Sequence, residues 1–199
     1  MAGFGRAIFA IFIAASSPLA AASASAQTAA ILIPGAGGPV PIDFLMRNRS
    51  AFARAGVETF VATSPQEVAR LSQKLKAGSR RVVIVGMSRG GVTAAGALAA
   101  GARVDGVVLV STSLDLVRQR IGSPSRLPPA LVVHHRNDGC GKTRPQEVPG
   151  FVAWSGGRAR VAWVDTRGPE APNPCGPRGA HGFYMQDGPA VSAILSFVR

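Results

Sequence analysis

Apolar residues in this chain fall in short, nearly continuous runs, separated by stretches with helical spacing. Six runs read as strands: Ala29–Ile33, Val57–Ala62, Arg81–Val85, Gly106–Val110, Ala130–His134 and Arg160–Asp165. They hardly alternate with polar positions, which is the pattern of strands covered on both faces. Ser64-Pro65-Gln66-Glu67 supplies an N-cap, a first-turn proline and a capping-box glutamate, and Val68, Leu71 and Leu75 then share one helical face. Val92, Ala95 and Ala99 repeat that spacing up to a stop at Gly101. Asp187 and Pro189 open a last helix whose buried face is Val191, Ile194, Leu195 and Val198. Strands alternating with helices predict an α/β fold, a three-layer sandwich around a mainly parallel sheet of about six strands.

Reactive residues of such a sheet belong at the carboxyl ends of its strands. The first strand ends in Pro34-Gly35-Ala36-Gly37-Gly38, and the fifth in His134-His135-Arg136-Asn137-Asp138. The sixth leads through a Gly/Pro-rich loop to His181. The third ends in Gly86-Met87-Ser88-Arg89-Gly90, directly before an alanine-rich helix. That is the strand–turn–helix context of a nucleophile elbow, in which the serine is strained and exposed and the helix start favours negative charge beside it. Serine needs a base to become a nucleophile, and the base needs an orienting acid. His181, in a loop between Ala180 and Gly182, is the best base. Asp138 is the best acid, with Asp165 as its rival. His134 and His135 diverge as neighbours on a strand do, so a metal site there is not expected.

The first 26 residues stand apart. Arg6, the apolar run Ala7–Ala15 and the small-residue site Ala24-Ser25-Ala26 predict a secretory signal peptide, leaving residues 27–199 as one domain. The alternative is an uncleaved anchor, but the run is too short to span a bilayer. The expected location is therefore the periplasm or the medium. The net charge of +12 favours anionic ligands. Because the basic residues are scattered and not interleaved with aromatics, nucleic-acid binding is not expected. Export makes a disulfide the default for the only two cysteines, Cys140 and Cys175. Such a bridge would tie the Asp138 loop to the His181 loop.

With these residues in place, the sequence resembles the α/β-hydrolase superfamily. The resemblance runs from Ile31 to the terminal helix and rests on Gly86–Gly90, on Asp138 and on His181 in that chain order. In particular it resembles small exported bacterial members of unassigned substrate, which share the His-His-x-x-Asp-x-Cys arrangement seen here from His134 to Cys140. The resemblance implies Ser88 as nucleophile, Asp138 as acid and His181 as base. It implies an oxyanion hole made by the backbone N–H of Arg89 and one from the Gly35–Gly38 loop, Ala36 or Gly37. No metal or organic cofactor is implied.

Larger members begin with two further strands, which the chain has no room for before Ala29, so a reduced sheet is expected. Ser111–Pro129 occupies the place of their lid; it is short and rich in Ser, Pro and Arg, so an open cleft without a large lid is expected. Arg89 directly after the serine is unusual, and its side chain is expected to pair with a carboxylate, meet an anionic substrate group or lie in solvent. The expected function is an exported, monomeric serine hydrolase acting on a small-molecule or envelope-derived acyl substrate, foremost a carboxylic ester. The alternatives are a serine peptidase or thioesterase, or a non-catalytic protein of the same fold that binds anionic envelope ligands.

Overall fold

The computed structural model describes Met1, Gly3, residues 28–78 and residues 80–199. The segment read as a signal peptide therefore lies almost wholly outside the described residues.

Among the described residues, six strands form one sheet: β1 Thr28–Ile33, β2 Glu58–Val61, β3 Arg81–Met87, β4 Gly106–Val110, β5 Ala130–His135 and β6 Ala159–Val164. Every pairing is parallel, in the order β2-β1-β3-β4-β5-β6. Helices α1 (Phe44–Arg47), α2 (Arg49–Arg54) and α7 (Asp187–Val198) cover one face, and α3 (Pro65–Ala77), α4 (Arg89–Ala99), α5 (Leu114–Ile121) and α6 (Glu147–Trp154) the other. Ile31, Ile84, Leu109 and Val132 point into the α3–α6 core, while their neighbours Leu32, Val85, Val110 and Val133 point into the α1/α2/α7 core. This is why the strands read as unbroken apolar runs: both faces of the pleat are buried.

Ser64 caps α3 by accepting from Glu67 N–H at 3.3 Å. Glu67 reaches back one residue further than the capping box requires, to Thr63 N–H at 2.9 Å. The buried face of α4 keeps Ala95 and the partly buried Val92 of the expected one but not its end. Gly91, Ala94, Ala95 and Ala97 face the sheet, and Ala99 is exposed. The start of α4 packs tightly: a Cβ on Gly91 would stand 2.5 Å from Thr112 Oγ1. The 111–129 segment, the place of the lid in larger relatives, is instead a crossover helix. Leu114, Val117 and Ile121 of α5 are buried in the core below the sheet edge, and the Glu147 carboxylate caps its open N–H groups at Leu114 and Asp115 (2.8 and 3.2 Å).

The strand order fixes where a site can form. The chain leaves β1 toward β2, then returns past β1 to place β3 on its other side. Connections after β1 and β3 thus diverge to opposite faces and open a crevice at their carboxyl ends. Ile33 pairs with Gly86, so the glycine loop after β1 and the turn after β3 leave the sheet side by side. Among the described residues, no helix is long and apolar enough to cross a membrane.

Candidate active site

The turn after β3 is held in a conformation that L-residues rarely adopt. Ser88 has φ 52° and ψ −118°, at a cost of about 1–3 kcal/mol. Its neighbours hold it there: Ser88 N–H donates to Val110 O at 2.8 Å, and Thr112 Oγ1 donates to Ser88 O at 2.6 Å. The flanking glycines are required by space. A Cβ on Gly86 would lie 2.6 Å from Gly90 O, and one on Gly90 would lie 2.1 Å from Ile33 O.

Three strand ends and the last loop then converge. His181 Nε2 is 3.0 Å from Ser88 Oγ, and His181 Nδ1 is 3.0 Å from Asp138 Oδ2. An ionised Asp138 only accepts, so the imidazole carries its proton on Nδ1 and turns the Nε2 lone pair to the Ser88 hydroxyl. Both His181 and Asp138 are buried. Asp138 is further held by Cys140 N–H at 2.9 Å on Oδ1 and by the Thr143 hydroxyl at 3.0 Å on Oδ2. Thr143 Oγ1 also lies 3.2 Å from His181 Nδ1. Asp165, the rival acid, is exposed and lies 3.7 Å from Arg136. It has no bond to His181.

The loop carrying His181 is anchored from the α1 side. Arg47 donates to Asp187 (2.7 and 3.0 Å), to Ile42 O (2.8 Å) and to Gly182 O. Its guanidinium lies over the Phe44 and Tyr184 rings. Phe183, fully buried at φ 53°, packs its ring 5.2 Å from that of Phe44. From the other side, a disulfide joins Cys140 to Cys175 and so links the Asp138 loop to the His181 loop.

His134 and His135 are both buried and face opposite sides of the sheet, His134 toward Trp163 and His135 toward Phe183. Burial pushes the His134 pKa below the ordinary imidazole value, and the nearby His181 adds to this. The Asp138 carboxylate and the His135 carbonyl pull the other way without reversing it. His135 Nδ1 accepts from Asn137 N–H at 3.0 Å, which directs its Nε2 proton to Thr166 O at 3.0 Å.

Ser88 and His181 open onto a cavity of about 100 Å³, lined by the glycine loop and by Val40, Ile42, Met87 and Pro177. A larger polar cleft of about 570 Å³ lies behind the base loop, beside Asn137, Arg167 and Glu170. It contains no member of the Ser88–His181–Asp138 line. Ala36 and Gly37 are exposed at the rim of the smaller cavity. Among the described residues, the N–H groups of Ala36, Gly37 and Arg89 make no internal hydrogen bond, and all three lie at the carboxyl edge of the sheet beside Ser88. The Arg89 side chain does not meet a carboxylate. It is exposed and donates to Ala36 O at 3.2 Å.

Sequence reasoning missed four residues of this site. Thr143 and Arg47 act across 38 and 140 positions of chain, on His181 and Asp187. Thr112 belongs to a different strand end from the serine that it holds. Asp43 has a visible local role, since it precedes Phe44-Leu45-Met46 as an N-cap. Its bond to Gly35, eight residues back, has no local signature.

The fold is shared with several solved hydrolases. An esterase domain from Rhodothermus marinus superposes with a TM-score of 0.64 at 9% identity, covering 88% of this chain and 87% of that one. A Pyrococcus furiosus esterase gives 0.61 at 12% identity, over 86% and 82%. A monoglyceride lipase from Saccharomyces cerevisiae gives 0.61 at 10% identity, over 89% and 87%. No family model and no curated protein sequence matches the chain. The protein thus has the α/β-hydrolase fold, with an all-parallel six-stranded sheet and no large lid among the described residues.

Proposed function

We propose that the protein is an exported serine hydrolase that cleaves a carboxylic ester through an acyl-enzyme. One observation carries this reading: the Ser88–His181–Asp138 hydrogen-bonded line, set at the crevice beside backbone N–H groups that make no internal hydrogen bond among the described residues. Ser88 Oγ attacks the ester carbonyl as its proton passes to His181 Nε2, and Asp138 stabilises the imidazolium that forms. The carbonyl oxygen becomes an oxyanion held by Arg89 N–H and an N–H of Ala36 or Gly37. The C–O bond to the leaving alcohol breaks and His181 returns the proton to it. Water then gives its proton to His181 and attacks the acyl carbon, which frees the acid and restores the Ser88 hydroxyl.

The cavity of about 100 Å³ has room for roughly three waters' share of liquid, which suits a short acyl group. The disulfide between Cys140 and Cys175 supports action outside the cytoplasm, in the periplasm or the medium. Similarity to esterases and a lipase supports a small-molecule substrate.

The test is a series of p-nitrophenyl esters from acetate to octanoate, beside fluorophosphonate labelling. Wild-type protein should be labelled at Ser88 and turn over the shortest esters best. Ser88→Ala should stay folded, take no label and lose about 10⁴-fold or more in kcat. Equal turnover by Ser88→Ala would refute the mechanism.

A further inference from the structure

The glycine loop after β1 supplies half of the proposed oxyanion hole, yet a loop of Gly35-Ala36-Gly37-Gly38 has little rigidity of its own. Its backbone is nevertheless tied down at three points. Asp43 Oδ2 accepts from Gly35 N–H at 2.9 Å. Gly35 O accepts from Gly38 N–H at 3.1 Å. Ala36 O accepts from the Arg89 guanidinium at 3.2 Å. The other Asp43 oxygen accepts from Leu45 N–H at 2.9 Å and Met46 N–H at 3.3 Å, which fixes the carboxylate to the start of α1. Asp43 is buried and lines the catalytic cavity, but its carboxylate is committed to backbone donors.

These bonds orient the peptides that remain. In a trans peptide the C=O and N–H point opposite ways. Holding Gly35 O toward Gly38 turns Ala36 N–H away from that turn, and holding Ala36 O on Arg89 turns Gly37 N–H away from the guanidinium. We propose that Asp43 and the Arg89 side chain are positioning residues that clamp the glycine loop and aim its free N–H groups at the oxyanion. Arg89 then serves the hole twice, with its backbone as a donor and with its side chain as a brace for the opposite donor. The inference rests on the reading of Ser88 as a nucleophile.

The two residues can be tested separately. Every partner of the Asp43 carboxylate is a donor, so Asp43→Asn must set an amide against one of them. Asp43→Ser keeps an N-cap for α1 but is too short to hold Gly35 as well. Losing an oxyanion donor outright costs about 10²–10³ in kcat. Misaiming one should cost roughly 10–100-fold in Asp43→Ser and Asp43→Asn, and less in Arg89→Met, where the N–H donor stays and the lost bond is exposed.

Rates are taken per active site titrated with fluorophosphonate, alongside Ki for a trifluoromethyl ketone that forms a tetrahedral adduct. A clamp predicts lower kcat per titrated site, KM within about threefold, and Ki rising in proportion to the loss in kcat/KM. A kcat per titrated site equal to wild type would make Asp43 structural only and overturn the clamp. Unchanged Ki beside a fallen kcat would overturn it too. Should Asp43 variants not fold, Arg89→Met and Arg89→Lys decide alone, since that side chain is exposed. Failure of the nucleophile reading shows elsewhere, as unlabelled and inactive wild-type protein.

Discussion

Breaking the Cys140–Cys175 bridge should impair catalysis before it disturbs the fold. The bridge closes a loop across a sequence separation of 35, worth up to about 4 kcal/mol in the chain-entropy model. For a domain of this size, a kcal/mol shifts Tm by roughly 2–4 °C, so Cys175→Ser should lower Tm by no more than about 8–16 °C. Neither core cluster contains residues of the 138–146 or 166–182 loops, so the sheet and its helices should persist. The site is more exposed to the change. Cys140 N–H holds Asp138 Oδ1 at 2.9 Å, and Cys140 O accepts from Thr143 N–H at 3.0 Å, so Cys140 steadies both neighbours of His181 Nδ1. Cys175 lines the cavity at Ser88 and His181. A shift of about 1 Å in such groups costs up to roughly 10²-fold in rate. The assay compares ester turnover, far-UV circular dichroism and thermal melts for native, mildly reduced and Cys175→Ser protein. Lower kcat with near-native circular dichroism is expected. A reduced protein with full kcat and unchanged Tm would refute the bracing argument, as would two free thiols in the unfolded, unreduced chain.

Three further outcomes are expected. Asp138→Asn should lose on the order of 10³–10⁴-fold in kcat, because His181 would lose its orienting acceptor, whereas Asp165→Asn, exposed beside Arg136, should lose little; steady-state ester kinetics on both variants decide it. Thr143→Val removes one hydrogen bond to a buried carboxylate, worth about 1.5–3 kcal/mol, and should lower stability by up to that amount and kcat by roughly tenfold, read by urea melts and ester turnover. His134 is held neutral by burial, so its pKa is lower folded than unfolded; the unfolded chain binds the extra proton, and stability falls as pH drops below the unfolded value of about 6.5. His134→Phe should flatten that decline in Tm between pH 7 and 5, and an identical slope in both proteins would count against it.

What the sequence determined by itself is what local chemistry encodes. Both faces of the four central strands are buried and the two edge strands are partly covered, so six apolar runs announce six strands to within a few residues. The elbow is legible because a serine with positive φ needs small neighbours, and Gly86 and Gly90 lie where a Cβ would strike backbone. That Asp138 and His181 meet Ser88 follows the expectation that segments leaving a parallel sheet at its carboxyl ends gather at one edge. Helices α2, α5 and α6 are short, and α5 even takes its N-terminal cap from Glu147, 33 residues away, so their ends carry little signal of their own. Tertiary structure alone decided the order β2-β1-β3, which opens the crevice between the glycine loop and Ser88. It also decided the partners that hold the site. Thr143 on Asp138, Thr112 on Ser88, Arg47 between Asp187 and Gly182, and Asp43 on Gly35 are contacts between strand ends and loops. A hydrogen bond across such distances depends on how the layers close, and no periodicity or spacing in the chain records it.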